Sequence, residues 1–177
     1  KGMYLLREGG KGKVRVNLFG SGTILREVIE AAVLLEKEYG VPADVFSVTS
    51  FSELRREALD AERWSLLHPS EKPRKPYVQQ LLAGRNGPFV AATDYMRIVP
   101  DQIRQWVPGR YQVLGTDGYG RSDSRAALRG FFEVDRRYVV VAALKSLADE
   151  GKLDVATVKS AIERFGIDPD KPNPVTV

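Results

Sequence analysis

Short apolar runs alternate along this chain with stretches whose apolar residues recur at helical spacing. Val14-Arg15-Val16-Asn17-Leu18-Phe19 reads as a strand, and a glycine turn, Gly20-Ser21-Gly22-Thr23, comes after it. Ile24, Leu25, Val28, Ile29, Ala32, Leu35 and Tyr39 then fall on one helical face, and Gly40 and Pro42 stop the helix. Val45-Phe46-Ser47-Val48, Phe89 to Thr93 and Tyr111 to Leu114 are further strand segments, each separated from the next by helical patterns. Strand-helix-strand crossovers are right-handed and build a parallel sheet with helices on both faces. The expected fold is therefore an α/β three-layer sandwich around a mostly parallel sheet of about five strands.

The remaining elements are read from local signals. Met3-Tyr4-Leu5-Leu6 is joined to Val14–Phe19 by Gly9-Gly10-Lys11-Gly12, a link too short for a parallel crossover. That predicts an antiparallel pair, with the first strand at an edge. Ser50 and Glu53 have the spacing of a capping box for a helix through Leu54 and Ala58, and Asp60 marks the start of another short turn through Trp64 and Leu67. His68 to Pro76 holds three prolines and reads as an extended loop. Tyr77 to Leu82 reads as a short helix, Asp94 as a cap for the segment after it, and Pro100 as the first turn of a helix ending near Val107. The last helices are expected near Ala126–Phe131, from Asp135 to Gly151 and from Asp154 to Gly166, before a proline-rich tail at 168–177. A first residue other than Met, followed almost at once by an apolar run, suggests a single domain over 1–177 that is a piece of something longer.

Composition removes whole classes of chemistry. Against 27 Lys and Arg stand 23 acids, a net charge of +4 without a basic face carrying interleaved aromatics, so no nucleic-acid partner is expected. No apolar run reaches the about 20 residues needed to cross a bilayer, so no membrane partner is expected either. The chain has no cysteine, which excludes disulfides and thiolate chemistry and suits a cytoplasmic location. One histidine, His68, is too few for a zinc site, and it is read as a packing or surface residue. Neither a nucleophile elbow nor a G-x-x-x-x-G-K-[ST] phosphate loop is present.

Two loops remain of interest. Gly115-Thr116-Asp117-Gly118-Tyr119-Gly120-Arg121-Ser122-Asp123-Ser124-Arg125 joins a strand to a helix and concentrates glycines, acids and arginines. It reads either as a capped turn or as a surface for ligands and partners at the carboxyl end of the sheet. Asp117, Tyr119, Arg121, Asp123 and Arg125 are its candidate interface residues, and Asp123 is expected to cap the next helix. Ser21, Gly22 and Thr23 form the second, a candidate anion site where backbone N–H groups meet a helix start. The spacing there gives only half of a dinucleotide fingerprint, because Leu25 and Arg26 stand where the third glycine belongs, and a plain structural turn is the other reading. No catalytic, cofactor-binding or metal-binding residue emerges from these patterns.

Four segments carry a family resemblance: Leu18-Phe19-Gly20-Ser21-Gly22-Thr23-Ile24-Leu25-Arg26, Val48-Thr49-Ser50-Phe51-Ser52-Glu53-Leu54, Glu62-Arg63-Trp64-Ser65-Leu66-Leu67-His68-Pro69, and Gly115 to Arg125. Over its whole length the chain resembles the C-terminal domain of the homodimeric, thiamine-diphosphate-dependent first component of the pyruvate dehydrogenase complex. Transketolases share a looser version of the glycine turn and of the Gly115–Arg125 loop, and a transketolase C-terminal domain is the alternative, as is a free-standing anion- or nucleotide-binding module. The resemblance implies a parent oxidoreductase that decarboxylates pyruvate with thiamine diphosphate and Mg²⁺ and passes acetyl to the lipoyl group of the dihydrolipoyl acyltransferase. Its implied partners are the other domains of the parent chain, a second subunit and the acyltransferase complex. The family's cofactor signature is not in this sequence, Thr116-Asp117-Gly118 being the nearest approach, so the resemblance implies a non-catalytic domain that supports assembly.

Overall fold

The computed structural model describes residues 1–177 and contains a five-stranded sheet between two layers of helices. The strands are β1 (Met3–Arg7), β2 (Val16–Gly20), β3 (Ala43–Val48), β4 (Phe89–Ala92) and β5 (Tyr111–Leu114), in the order β1-β3-β2-β4-β5. Strands β2 to β5 run parallel, and β1 alone is antiparallel, as the α/β pattern predicts.

Parallel strands covered on both faces need apolar residues on both, and β2 shows why. Val16 and Leu18 point into one core with Ile24, Val28 and Leu35 of the first helical segment, while Phe19 points into the other. There Phe19 lies 5.4 Å from Phe46, 5.7 Å from Phe89 and 5.9 Å from Tyr111, ring centre to ring centre. On the first face pack α1 (Leu25–Tyr39), α6 (Arg136–Asp149) and α7 (Val155–Arg164); on the second pack α2 (Phe51–Leu67), α3 (Tyr77–Leu81) and the segment around Ile103 and Trp106. The last two α-helices of the chain are α6 and α7, which come after α4 (Ile98–Asp101) and α5 (Arg125–Phe131), and a 3-10 turn at Pro174–Thr176 follows them in the tail.

The partner of β1 differs from the sequence expectation. It pairs with β3, Met3 opposite Val48 and Leu5 opposite Phe46, and not with β2. The Gly9–Gly12 link is no hairpin but passes over the start of β3, where a Cβ on Gly9 would meet the Ala43 backbone at 2.7 Å. The fully buried Asp44 carboxylate fastens it there by accepting from the Gly9 N–H at 2.9 Å and from the Arg15 and Arg85 guanidiniums. With both faces buried, β2 takes the centre and needs two strand neighbours; β1, with Tyr4 and Leu6 exposed, suits the edge.

Three other local expectations change. Helix α2 runs unbroken from Phe51 to Leu67, because Leu54, Ala58 and Ala61 keep one buried stripe through Asp60. Ser50 does cap it, accepting from the Glu53 N–H at 3.1 Å. Pro100 lies inside the four-residue α4, which ends at Asp101, and a separate 3-10 turn at Arg104–Trp106 completes the segment. The side chain of Asp94 caps no helix; it turns back towards Thr23. The starts at Asp135 and Asp154 hold: Asp135 accepts from the N–H groups of Arg137 and Tyr138, and Asp154 from that of Ala156.

Candidate functional site

The crossover direction reverses beside β2. From β2 the chain goes through α1 to β3 on one side, and from β3 through α2 and α3 to β4 on the other. Such a switch point opens a crevice at the carboxyl ends of the strands, where α/β sheets place ligands. Both candidate loops of the sequence lie here, because the turn after β2 and the loop after β5 flank the end of β4.

Gly20 ends β2 and lets the chain fold back tightly, since a Cβ there would stand 2.8 Å from the Leu25 Cα. The Ser21 hydroxyl is buried and donates to Thr93 Oγ1 at 2.7 Å, which ties the turn to the end of β4. Gly22 has φ +54°, and a side chain on it would meet Asp94 Oδ1 at 3.1 Å. Thr23 Oγ1 donates to Asp94 Oδ2 at 3.3 Å. A carboxylate therefore sits against the turn that the sequence offers as an anion site, and it attracts donors and opposes a free anion at Gly22.

The loop after β5 is braced to the same place. The Thr116 N–H donates to the Tyr95 carbonyl at 2.9 Å and its hydroxyl to the Asp94 carbonyl at 2.7 Å. Asp117 accepts from the Arg97 N–H at 2.9 Å and faces the Arg97 guanidinium at 3.6 Å. At Gly118 φ is +106°, and any side chain would collide with the Pro174 carbonyl 2.3 Å away, so the C-terminal tail packs on this glycine. Tyr119 stands in solvent at 82% exposure. Arg121 does not project freely, because its guanidinium lies over the Phe131 ring at 4.4 Å.

The helix start departs from expectation. Ser124, not Asp123, caps α5, its hydroxyl accepting from the Ala127 N–H at 3.3 Å. Asp123 Oδ1 accepts from the Ser124 N–H at 2.6 Å, one residue short of the helix. A short side chain directly at the extended cap position reaches the third N–H, whereas one residue earlier it reaches only its neighbour.

Between these loops and α5 lies a cavity of about 310 Å³. Thr23, Asp94 and Thr116 give it hydroxyls and a carboxylate, Arg121, Arg125 and Arg129 give it guanidiniums, and Ile24, Leu128, Phe132 and Val134 give it an apolar wall. Arg129 is held from behind by Glu27 at 2.8 Å. Glu27 also takes Arg136, and although burial alone would raise its carboxyl, the hydrogen bonds and charges of Arg136 and Arg129 outweigh that and hold it below 4.5. On the other side of the turn, a second cleft is lined by Ser21, Ser47, Thr49, Ser50 and Ser52 hydroxyls and by no charged side chain.

The sequence singled out both loops but missed Asp94 as a wall between them, and it missed Arg129. The signal for Asp94 was its place at the end of a buried strand; Arg129 and Glu27, 102 residues apart, left none. His68 is far from this chemistry: its Nδ1 is 2.7 Å from the Trp64 carbonyl, and its ring stacks on Trp64 at 4.3 Å. No three His, Cys, Asp or Glu side chains are grouped to hold a metal ion. Asp117, in the segment nearest to a cofactor signature, is committed to Arg97. No helix is long and apolar enough to cross a membrane.

Residues 2–135 match the model of the transketolase-like TK C-terminal domain. The chain belongs to that family. Among curated proteins, this transketolase-like chain is 59% identical over 177 residues to the pyruvate dehydrogenase E1 component of Pseudomonas aeruginosa, covering 99% of this chain and 20% of that protein. It is 56% identical over 177 residues to the pyruvate dehydrogenase E1 component of Escherichia coli K12, covering 98% of this chain and again 20% of the relative. The chain thus spans about a fifth of the proteins it matches. A solved split-gene transketolase, an inactive β4 tetramer, superposes with a TM-score of 0.56 at 22% identity over 82% of this chain and 42% of that one. Transketolase from Campylobacter jejuni gives 0.53 at 21% identity, over 81% and 18% of the two chains. These two likenesses concern the fold alone.

Proposed function

We propose that the chain is the C-terminal domain of a pyruvate dehydrogenase first component and serves the assembly of that enzyme, contributing no group to its chemistry. The parent enzyme in this reading is cytoplasmic and homodimeric, decarboxylates pyruvate with thiamine diphosphate and Mg²⁺ held by its other domains, and passes acetyl to the lipoyl group of the acyltransferase. The observation that carries the reading is identity of 59% and 56% to two such components along essentially the whole chain. Full-length likeness of that degree exceeds what a shared fold alone requires, as the 22% to a transketolase illustrates.

The surface at the carboxyl end of the sheet supports the assembly role. Tyr95, Met96, Ile98 and Tyr119 are all more than half exposed, on the loop after β4 with the start of α4 and on the loop after β5, which the Thr116 and Asp117 hydrogen bonds brace together. Exposed large apolar side chains on a rigid base are what a neighbouring domain or subunit buries.

A chimera tests this. The C-terminal fifth of the E. coli relative is replaced by this chain, and mass and pyruvate-dependent ferricyanide reduction are measured. The expected result is a dimer with activity within about threefold of the unaltered relative. A dimer that binds thiamine diphosphate but turns over no pyruvate would place a catalytic group of the relative in the replaced fifth and overturn the non-catalytic assignment.

A further inference from the structure

We propose that the switch-point cavity is a binding site for a small hydroxylated organic anion, independent of the parent's reaction. The cavity's charged groups are unevenly satisfied. Arg129 has its carboxylate in Glu27 at 2.8 Å, but Arg125 has no acidic partner, and Arg121 has only the Phe131 ring. Asp94 is also without a cation, its carboxylate meeting only the Thr23 hydroxyl at 3.3 Å. Unmatched charges of both signs thus line one concave space of about 310 Å³. That volume is at the lower end of small-molecule sites, which favours a ligand of metabolite size.

The lining specifies the ligand's chemistry. Arginine forks bind a carboxylate or a phosphate by paired N–H donors, so Arg125 with Arg121 takes the anionic group. Asp94 would repel that group and must instead accept from a hydroxyl on the same ligand. Thr23 and Thr116 add hydroxyls beside it, and Ile24, Leu128, Phe132 and Val134 cover the carbon frame. Rigidity supports the site: Glu27 fixes Arg129, Gly22 at φ +54° allows the approach of Asp94, and the Thr116 hydroxyl holds the Asp94 carbonyl at 2.7 Å. A preformed site loses less on ordering than a mobile one.

The test is titration calorimetry on the complete protein that carries this domain, with thiamine diphosphate and Mg²⁺ saturating so that this site and the parent's reaction fail or succeed separately. The probes are sn-glycerol 3-phosphate, malate and inorganic phosphate. Saturable binding of glycerol 3-phosphate or malate below about 10 mM upholds the site, and whichever binds more tightly assigns the anion to phosphate or to carboxylate. Arg125→Ala, at a position exposed and without an acidic partner within this chain, should weaken that probe by about tenfold. In Asp94→Ala, inorganic phosphate should bind more tightly, and glycerol 3-phosphate should lose its advantage over it. Absence of saturable binding by both organic probes overturns the proposal. So does binding unchanged in Arg125→Ala, which would put the anion elsewhere, or inorganic phosphate that equals glycerol 3-phosphate in the unaltered protein.

Discussion

Glu27 and Arg136, 109 residues apart, meet as a two-pronged ion pair: Arg136 Nε donates to Oε2 at 2.9 Å and Nη2 to Oε1 at 3.3 Å. The Arg136 backbone N–H reaches the same carboxylate at 3.1 Å, and Arg129 completes it. One acid on α1 thereby ties Arg129 of α5 and the first residue of α6 to the helix beside them, and Arg129 lines the switch-point cavity.

Glu27→Gln should cost about 3 kcal/mol at neutral pH, because it leaves the poorly exposed Arg129 guanidinium without its carboxylate. The carboxyl is held below its ordinary 4.5, so its contribution is complete above that value and fades as pH falls through it towards the lowered one. Urea unfolding at pH 7 and at pH 3 checks this; the gap between the two proteins should narrow in acid.

Replacing Ser124 should matter more than replacing Asp123. Ser124→Ala removes the hydroxyl that takes the Ala127 N–H and should cost about 1 kcal/mol. Asp123→Ala removes one exposed bond to the neighbouring N–H and should stay within about 0.5 kcal/mol. Thermal melts of both variants would separate the two roles, and the reverse order would return the cap to Asp123.

Two glycines should respond differently to alanine. At Gly40 φ is +64° but the space is open, so Gly40→Ala should cost about 1 kcal/mol of backbone strain. In Gly20→Ala the new methyl meets the Leu25 backbone at 2.8 Å and Val28 Cβ at 3.2 Å, which forces α1 off the sheet and should cost about 2–3 kcal/mol. Chemical denaturation of the pair reads the difference.

These contrasts mirror what was legible in the sequence. The strand and helix types come from period: Val16, Leu18 and Phe19 bury both faces of β2, and Val28, Ala32 and Leu35 one face of α1. Helix starts at Ser50, Asp135 and Asp154 are legible because a cap acts within three residues. Pairing is not so direct. A short glycine link between β1 and β2 implied a hairpin, and only the buried Asp44, gathering Gly9, Arg15 and Arg85 from three parts of the chain, reveals why the link crosses β3 instead. The candidate loops were visible as clusters of glycine and charge, but the cavity between them was not. It depends on Asp94, Arg129 and Phe132, whose meeting is a tertiary event with no local signal.

The 177-residue chain alone should bind neither thiamine diphosphate nor Mg²⁺ and should turn over no pyruvate. Its acids are scattered or committed, Asp117 to Arg97 and Asp44 to two arginines, and none are grouped to ligate a metal. A calorimetric titration with both that gave a micromolar constant would refute this.

Tyr119 follows Gly118 and stands in solvent. At 82% exposure it makes almost no contact within the domain, so Tyr119→Ala should leave the chain's melting temperature unchanged. Under the proposed assembly role it meets another domain or subunit, together with Tyr95, Met96 and Ile98. An aromatic anchor of that kind carries a large share of an interface's energy, commonly about 2 kcal/mol or more on truncation. In the chimera with the E. coli relative, Tyr119→Ala should therefore raise the dissociation constant of the dimer, or the urea sensitivity of the assembled enzyme, while thiamine diphosphate affinity per dimer stays the same. Sedimentation over a concentration series gives the first quantity and cofactor titration the second. Unchanged assembly with weakened cofactor binding would instead mean that this loop reaches the active site.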